Sequence, residues 1–140
     1  MSIFYSVDVT VNAPHNEIII TKILQRGVDL GFIYYGWDKT PSPIMLTSQE
    51  AKTFLLTILK GDENDLSDAY LTVVFKDTDF LMRIDPIENY TRISIFSFGQ
   101  PWQRQIDRDS YTIDFARYIR LVLELCKDFP ILELTTARDL

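Results

Sequence analysis

The sequence predicts a single α+β domain over residues 1–140, with a mixed sheet of about six strands and helices packed on that sheet. Three observations predict this class. Segments of β-branched and aromatic residues alternate with segments of helical periodicity, three short strands follow one another in the middle of the chain, and 46% of the residues are hydrophobic. The predicted order is β-α-β-α-β-β-β-α-β, and a chain of this size and composition can bury one core without disulfides or metals.

The chain begins with a strand and a helix. Alternating β-branched residues predict a strand over Ile3–Val11. Asn12 is the expected helix cap, and an apolar stripe predicts a helix from about His15 to Gly27 or Gly31. Three consecutive isoleucines in that stripe are strand formers, so a strand is the alternative for the segment.

A second strand and helix follow. The apolar run Gly31–Trp37 predicts a buried strand, and the prolines of Asp38–Leu46 predict a loop. Thr47 and Glu50 have the spacing of a capping box, in which each side chain accepts a hydrogen bond from a free amide at the helix start. Gly61 is the expected end of this second helix.

The middle of the chain predicts an antiparallel meander with short connections. Its three strands are Ala69–Lys76, Asp79–Asp85 and Thr91–Phe98. Because side chains alternate along a strand, Arg92, Ser94 and Phe96 should lie on one face of the last of them.

A third helix and a last strand complete the fold. Asp109 or Ser110 is the expected cap of the helix, Pro130 ends it, and Ile131–Thr136 is the final strand. We expect the apolar stripes of the second and third helices to pack on one face of the sheet. These stripes are centred on Phe54, Leu55, Ile58, Ile119, Val122 and Cys126.

Charge narrows the classes of partner. Fourteen Lys and Arg against twenty Asp and Glu give a net charge of −6. Nucleic-acid binding draws on cationic groups, so a nucleic-acid partner is not expected, whereas a basic protein is. No apolar run approaches the length of a membrane span, the N-terminus does not have the pattern of a signal peptide, and we expect a cytoplasmic protein. A homo-oligomer is left open.

Few residues offer catalytic or metal chemistry. One histidine, His15, and one cysteine, Cys126, cannot supply a zinc site, and the five glycines form no phosphate-binding motif. We therefore expect no metal and no cofactor. A carboxylate-based enzyme remains an alternative, because pairs such as Asp77 and Asp79 could do acid–base work, although turn formation is the simpler explanation for this pair.

The aromatic residues give the candidate binding site. Two Trp-bearing loops each lead from a strand into a helix; if both strands run the same way in one sheet, the loops emerge at one end and converge. Tyr and Trp are typical of binding hot spots, and acidic neighbours would form a rim around them. The candidate binding residues are Tyr35, Trp37, Asp38, Trp102, Asp107 and Asp109. Burial of these aromatics in the core is the alternative.

The overall profile is small, acidic and without a catalytic constellation. It is similar to that of the immunity proteins that neutralise bacterial toxins, a resemblance of composition that assigns no residue. We expect a non-enzymatic protein-binding domain, of the inhibitor, immunity or adaptor kind, for a basic partner. The alternatives are a small-ligand binder with an aromatic-lined pocket and a carboxylate-based enzyme.

Overall fold

The structure is a computed structural model, and it describes residues 4–36, 44–60, 70–76, 78–98, 106–107, 112–113 and 115–139. Within these ranges it contains three helices and nine strands. None of the described helices has both the length and the apolar character that crossing a membrane requires. The three helices and the strands of one sheet confirm the α+β class expected from the sequence.

The strands and helices have the following bounds. The strands are β1 Phe4–Val11, β2 Ile33–Gly36, β3 Ile44–Leu46, β4 Leu71–Phe75, β5 Thr78–Ile87, β6 Tyr90–Phe98, β7 Ile106–Asp107, β8 Thr112–Ile113 and β9 Ile131–Asp139. The helices are α1 Glu17–Leu30, α2 Ser48–Lys60 and α3 Phe115–Leu125.

Seven strands form one sheet in the order β3-β2-β4-β5-β6-β1-β9, and every neighbouring pair is antiparallel. The predicted meander is confirmed as β4, β5 and β6. The prediction of a mixed sheet of about six strands is wrong in two respects, since no pair in this sheet is parallel and β3 adds an edge strand. The residues of β3 were expected to be loop, but past the prolines they pair with β2.

The isoleucine segment is a helix, as predicted, but its N-cap is not the expected Asn12. Asn16 is the N-cap of α1, and its Oδ1 accepts a hydrogen bond from the Ile19 amide at 3.0 Å. Asn12 instead donates its backbone N–H to the Pro130 carbonyl at 2.8 Å, which connects the end of β1 to the start of β9. Gly31 ends the helix with φ at 110°, a backbone conformation in which glycine avoids the strain of a Cβ.

The capping box of α2 forms as the sequence predicts. The Thr47 amide donates to Glu50 Oε1 at 3.2 Å, and the Glu50 amide donates to Thr47 Oγ1 at 3.2 Å. This reciprocal pair satisfies two amides that the first turn of a helix would otherwise leave without partners.

Helix α3 begins later than expected. It starts at Phe115, and the short β7–β8 pair precedes it, so the prediction that Asp109 or Ser110 caps it is wrong. The last strand extends beyond the predicted Thr136 to Asp139 and pairs with β1 along its length.

The helices cover one face of the sheet, where the core lies. Leu55, Val122 and Cys126 are buried there as expected, and Ile119 is partly buried against them. The side chains of Phe54 and Ile58 lie outside what the structure describes. Helix α1 packs between α2 and α3 and buries Ile19, Ile20, Ile23 and Leu24, which form the apolar stripe predicted for this helix.

Ion pairs link α1 to both neighbouring helices. Lys52 Nζ on α2 lies 3.0 Å from Glu17 Oε1, and Arg26 Nη2 lies 3.0 Å from Glu124 Oε2 on α3. Glu17 and Glu124 are more than half exposed, so each pair contributes at most about 1 kcal/mol to stability. The apolar core therefore provides the main support of the sheet, whose opposite face none of the described helices covers.

Candidate functional site

The described residues include only part of the site expected from the sequence. Tyr35 is half-buried on β2, opposite Thr72 on β4 and Met45 on β3. Asp107 belongs to β7, although its side chain is not described. The remaining candidates, Trp37, Asp38, Trp102 and Asp109, lie outside the described residues, so their role stays a prediction.

The strand directions bear on the expected convergence of the two Trp-bearing loops. Strands β2 and β6 belong to one sheet, but three successive antiparallel pairings separate them, so they run in opposite directions. The chain therefore leaves β2 and β6 toward opposite ends of the sheet. The condition under which both loops would emerge at one end is not met.

The described residues place a different surface beside Tyr35. We call the sheet face opposite the helices the open face. Directly opposite residues of neighbouring strands lie on the same face, so one row crosses this face from β2 to β1. It consists of Tyr35, Thr72, Leu81, Phe96 and Ser6. Antiparallel sheets commonly leave one face to solvent, where polar residues alternate with the buried ones.

A set of charged and aromatic side chains lies at the centre of the open face. We call it the open-face cluster, and it consists of Tyr70, Arg83, Asp85, Arg92 and Phe96. The Arg83 guanidinium lies 5.3 Å from the centre of the Phe96 ring. The Tyr70 and Phe96 rings meet edge to face, with centroids 6.0 Å apart. The Phe96 ring therefore packs against both a cation and a second aromatic ring.

Asp85 connects the two arginines. Its Oδ2 lies 3.2 Å from Arg83 Nε and accepts a hydrogen bond from Arg92 Nη2 at 3.3 Å. Burial raises the pKa of the Asp85 carboxyl, while the charges of Arg83, Arg92 and, least of all, His15 lower it. Burial has the larger effect on this pKa because the side chain is only 14% exposed.

Three buried side-chain nitrogens, on the residues whose charges act on Asp85, have no hydrogen-bond partner among the described residues. They are Nε of Arg83, Nε of Arg92 and Nε2 of His15. Arg83 Nε is close enough to Asp85 for an ion pair but is not aligned for a hydrogen bond. Buried polar groups are usually satisfied, and perturbed charged groups are enriched at functional sites, so the open-face cluster is the strongest candidate site in the described chain.

The sequence predicted part of this cluster. The shared face of Arg92, Ser94 and Phe96 is confirmed by their pairing with β1 and β5. Tyr70, Arg83 and Asp85 were not singled out. The alternation of Arg83 and Asp85 with the buried Met82 and Ile84 was the available signal, since charges that alternate with core residues must share the opposite face.

The cluster offers recognition chemistry rather than a nucleophile. Cys126 lies in the core instead, where burial raises the pKa of its thiol to about 12, so it is a thiol rather than a thiolate at neutral pH. Among the described residues, no three of the His, Cys, Asp and Glu side chains are grouped so that they could hold a metal ion.

Three described grooves lie on the helical side. The largest of these, about 430 Å³, runs along α1 and is lined by polar residues that include Lys22, Arg26 and Asp128. This lining differs from the aromatic one that the sequence led us to expect of a small-ligand pocket. Tyr35 lines none of these three grooves, and the small-ligand alternative stays a prediction.

The raised pKa of Asp85 makes a prediction about stability. The folded protein should hold this proton more tightly than the unfolded chain does, so the free energy contributed by Asp85 falls as the pH rises through its raised pKa. Asp85→Asn cannot titrate. Between about pH 3 and pH 7, wild type should lose unfolding free energy relative to Asp85→Asn, as measured by urea denaturation. If wild type gains relative stability instead, the two arginines outweigh burial.

Comparisons of the chain with protein-family models, with curated proteins and with solved structures find no match.

Proposed function

We propose that this chain is a non-enzymatic, cytoplasmic protein-binding domain that contacts a basic protein partner through the open face of its sheet. The open-face cluster is the observation that carries the proposal. An inhibitor, an immunity-type protein or an adaptor would each use such a surface, because its task is to cover or bridge a partner rather than to transform a substrate.

The residue types of the cluster support protein recognition. Tyr and Arg are enriched among the few interface residues that contribute most of the binding energy. Here Arg83 lies over the Phe96 ring, and that ring contacts Tyr70. This mutual packing reduces the freedom of all three side chains before a partner arrives, so less entropy is lost when they are buried in an interface.

Apolar residues border the cluster on the β2–β3 side. Ile33 is 43% exposed and Met45 is 65% exposed, and both lie on the open face with the half-buried Tyr35 and Val74. Scattered exposed hydrophobic residues are common, but a contiguous group next to an aromatic and arginine cluster is typical of an interaction surface.

Acidic residues on the same face favour a basic partner. Asp8, Asp79 and Glu133 lie at register positions of the open face, and both arginines of the cluster already lie within ion-pair distance of Asp85. With a net charge of −6, the chain should attract a cationic surface and accelerate its association. Binding should therefore weaken as salt concentration rises.

Two matched substitutions test the proposal. Ile33→Lys on the open face and Ile18→Lys on α1 each replace an exposed isoleucine by the same cation. We expect Ile33→Lys to weaken partner binding by about tenfold or more, because it adds a charge to the apolar border of the interface. Binding is measured by capture from native lysate on immobilised protein, followed by titration calorimetry with the captured protein.

Ile18→Lys is the control, since it changes net charge equally but lies on the helical side at 68% exposure. It should leave both capture and affinity unchanged. Equal losses in the two variants, or undiminished binding by Ile33→Lys, would show that the partner does not use the open face. Both proteins should unfold like wild type, because exposed substitutions usually change stability by less than about 0.5 kcal/mol.

A further inference from the structure

The last strand of the sheet, β9, is an unusually accessible edge. Among the described strands it has a neighbour, β1, on one side only. Both of its faces are also largely exposed to solvent: within residues 131–137, Leu134 is partly buried and the other six residues are exposed. An edge strand of this kind presents a row of backbone N–H and C=O groups that can pair with another strand.

The two edges of the sheet differ in how they are protected. The opposite edge, β3, is three residues long, and short edge strands are a common protection against pairing. Strand β9 is nine residues long and contains neither proline nor lysine, and its charged residues are Glu133 and, at its end, Arg138 and Asp139. Its register irregularity lies at its first residues, beside Val11, and leaves the rest of the edge regular.

The sequence of β9 allows two copies to pair antiparallel without opposing like charges. Its first half carries Ile131, Leu132 and Leu134, and its second half carries the smaller Thr136 and Ala137 followed by the charged Arg138 and Asp139. Thr135 is the middle residue, so a register centred on Thr135 uses the whole strand. This register places Glu133 opposite Ala137, Leu134 opposite Thr136 and Leu132 opposite Arg138 of the other copy, so that no two like charges face each other. A register centred on Thr136 would instead place Glu133 opposite Asp139, where two carboxylates would repel.

We propose that β9 is a self-association edge, at which a second copy of this chain pairs antiparallel about a two-fold axis through Thr135. The two sheets then continue into one, with the helices of both copies on the same side. Glu133, Thr135 and Ala137 share the open face, opposite Thr10, Asp8 and Ser6 of β1, so this register keeps their faces aligned across the axis. Because such a contact uses the same surface on both copies, it closes as a dimer.

Cysteine cross-linking tests the proposed register. In Thr135→Cys the two introduced Cβ atoms should lie about 5 Å apart across the axis, close to the separation that a disulfide needs. Mild oxidation of the full chain should therefore give a covalent dimer on a non-reducing gel. The native Cys126 is fully buried and should not react, which leaves a clean background.

Ala137→Cys is the matched control. Its two thiols would be separated by four residues of strand, about 14 Å, and should not cross-link.

Wild type should sediment with twice the chain mass of 16.3 kDa at salt high enough to screen the like charges of the two copies. Thr135→Lys should weaken this dimer by about fivefold or more, because it sets two cations opposite each other, whereas Thr53→Lys on the exposed side of α2 should not.

A wild type that stays monomeric at every concentration overturns the proposal and leaves the edge to another occupant, such as an extended segment of a different protein. A dimer in which Thr135→Cys does not cross-link, or in which Ala137→Cys cross-links equally well, overturns it too, since that dimer must use another surface or register. These outcomes are independent of partner binding at the open face.

Discussion

Replacing Gly27 by alanine is expected to destabilise the protein by about 2–3 kcal/mol, although alanine is normally the better helix former by about 1 kcal/mol. Gly27 is a buried residue of α1, and the side chains of Phe32 and Tyr34, which follow the helix in the chain, pack directly against it. A Cβ at this position would overlap the Tyr34 hydroxyl and lie 2.8 Å from Cδ2 of Phe32. Neither ring can move easily, because both are buried in the core. Urea denaturation gives the change in unfolding free energy.

A double-mutant cycle with Tyr34→Phe identifies the cause of that loss. The Tyr34 hydroxyl donates to the Leu24 carbonyl at 2.7 Å, so Tyr34→Phe alone should cost about 1 kcal/mol. In Gly27→Ala/Tyr34→Phe the hydroxyl no longer meets the new methyl group. The double variant should be more stable than the sum of the single effects by about 1 kcal/mol. Additive effects would show that the methyl group does not contact the hydroxyl.

Truncating Val122 to alanine is expected to cost about 2–3 kcal/mol, through lost burial and the cavity left behind. Val122 is fully buried on α3, beside the equally buried Tyr118 and Cys126. Rigid packing between α3 and the sheet limits how far the neighbouring groups can close the cavity. The denaturant concentration at the midpoint of unfolding should fall, while the slope of the unfolding free energy against denaturant concentration (the m-value) stays the same.

Val28→Ala on α1 is the matched control for Val122→Ala. Val28 is 40% exposed, so the same truncation should change stability by less than about 0.5 kcal/mol. Equal effects at the two valines would contradict the assignment of Val122 to the core.

The features that could be predicted from the sequence are those determined by local chemistry. The capping box needs only Thr47 and Glu50 at the right spacing, and both hydrogen bonds form. The alternation along β6 likewise determines which face Arg92 and Phe96 occupy. In both cases residues that are close in the chain decide the outcome.

Features that depend on distant contacts were not predictable in the same way. Nothing near Gly27 shows that Tyr34 will occupy the space of its missing side chain, so a helix end there and a helix end at Gly31 were equally reasonable expectations. The parallel or antiparallel sense of strand pairs depends on the order of the whole sheet. That order sends β2 and β6 in opposite directions, against the expected convergence of their loops.

The candidate site also depends on contacts between residues that are distant in the chain. Tyr35 was singled out from its own strand, whereas Asp85 gains its significance only when β6 brings Arg92 beside it. The cluster is assembled by cross-strand register, which no single segment of the sequence displays.

Radical footprinting of the protein with and without its captured partner shows directly whether the open face is the binding surface. Met45 is 65% exposed on that face and Ile18 is 68% exposed on α1, so both should label readily in the free protein. Binding should reduce labelling of Met45, Ile33 and Tyr35 and leave labelling of Ile18 unchanged. Undiminished labelling of Met45 in the complex, with protection at Ile18, would show that the open face is not the binding surface.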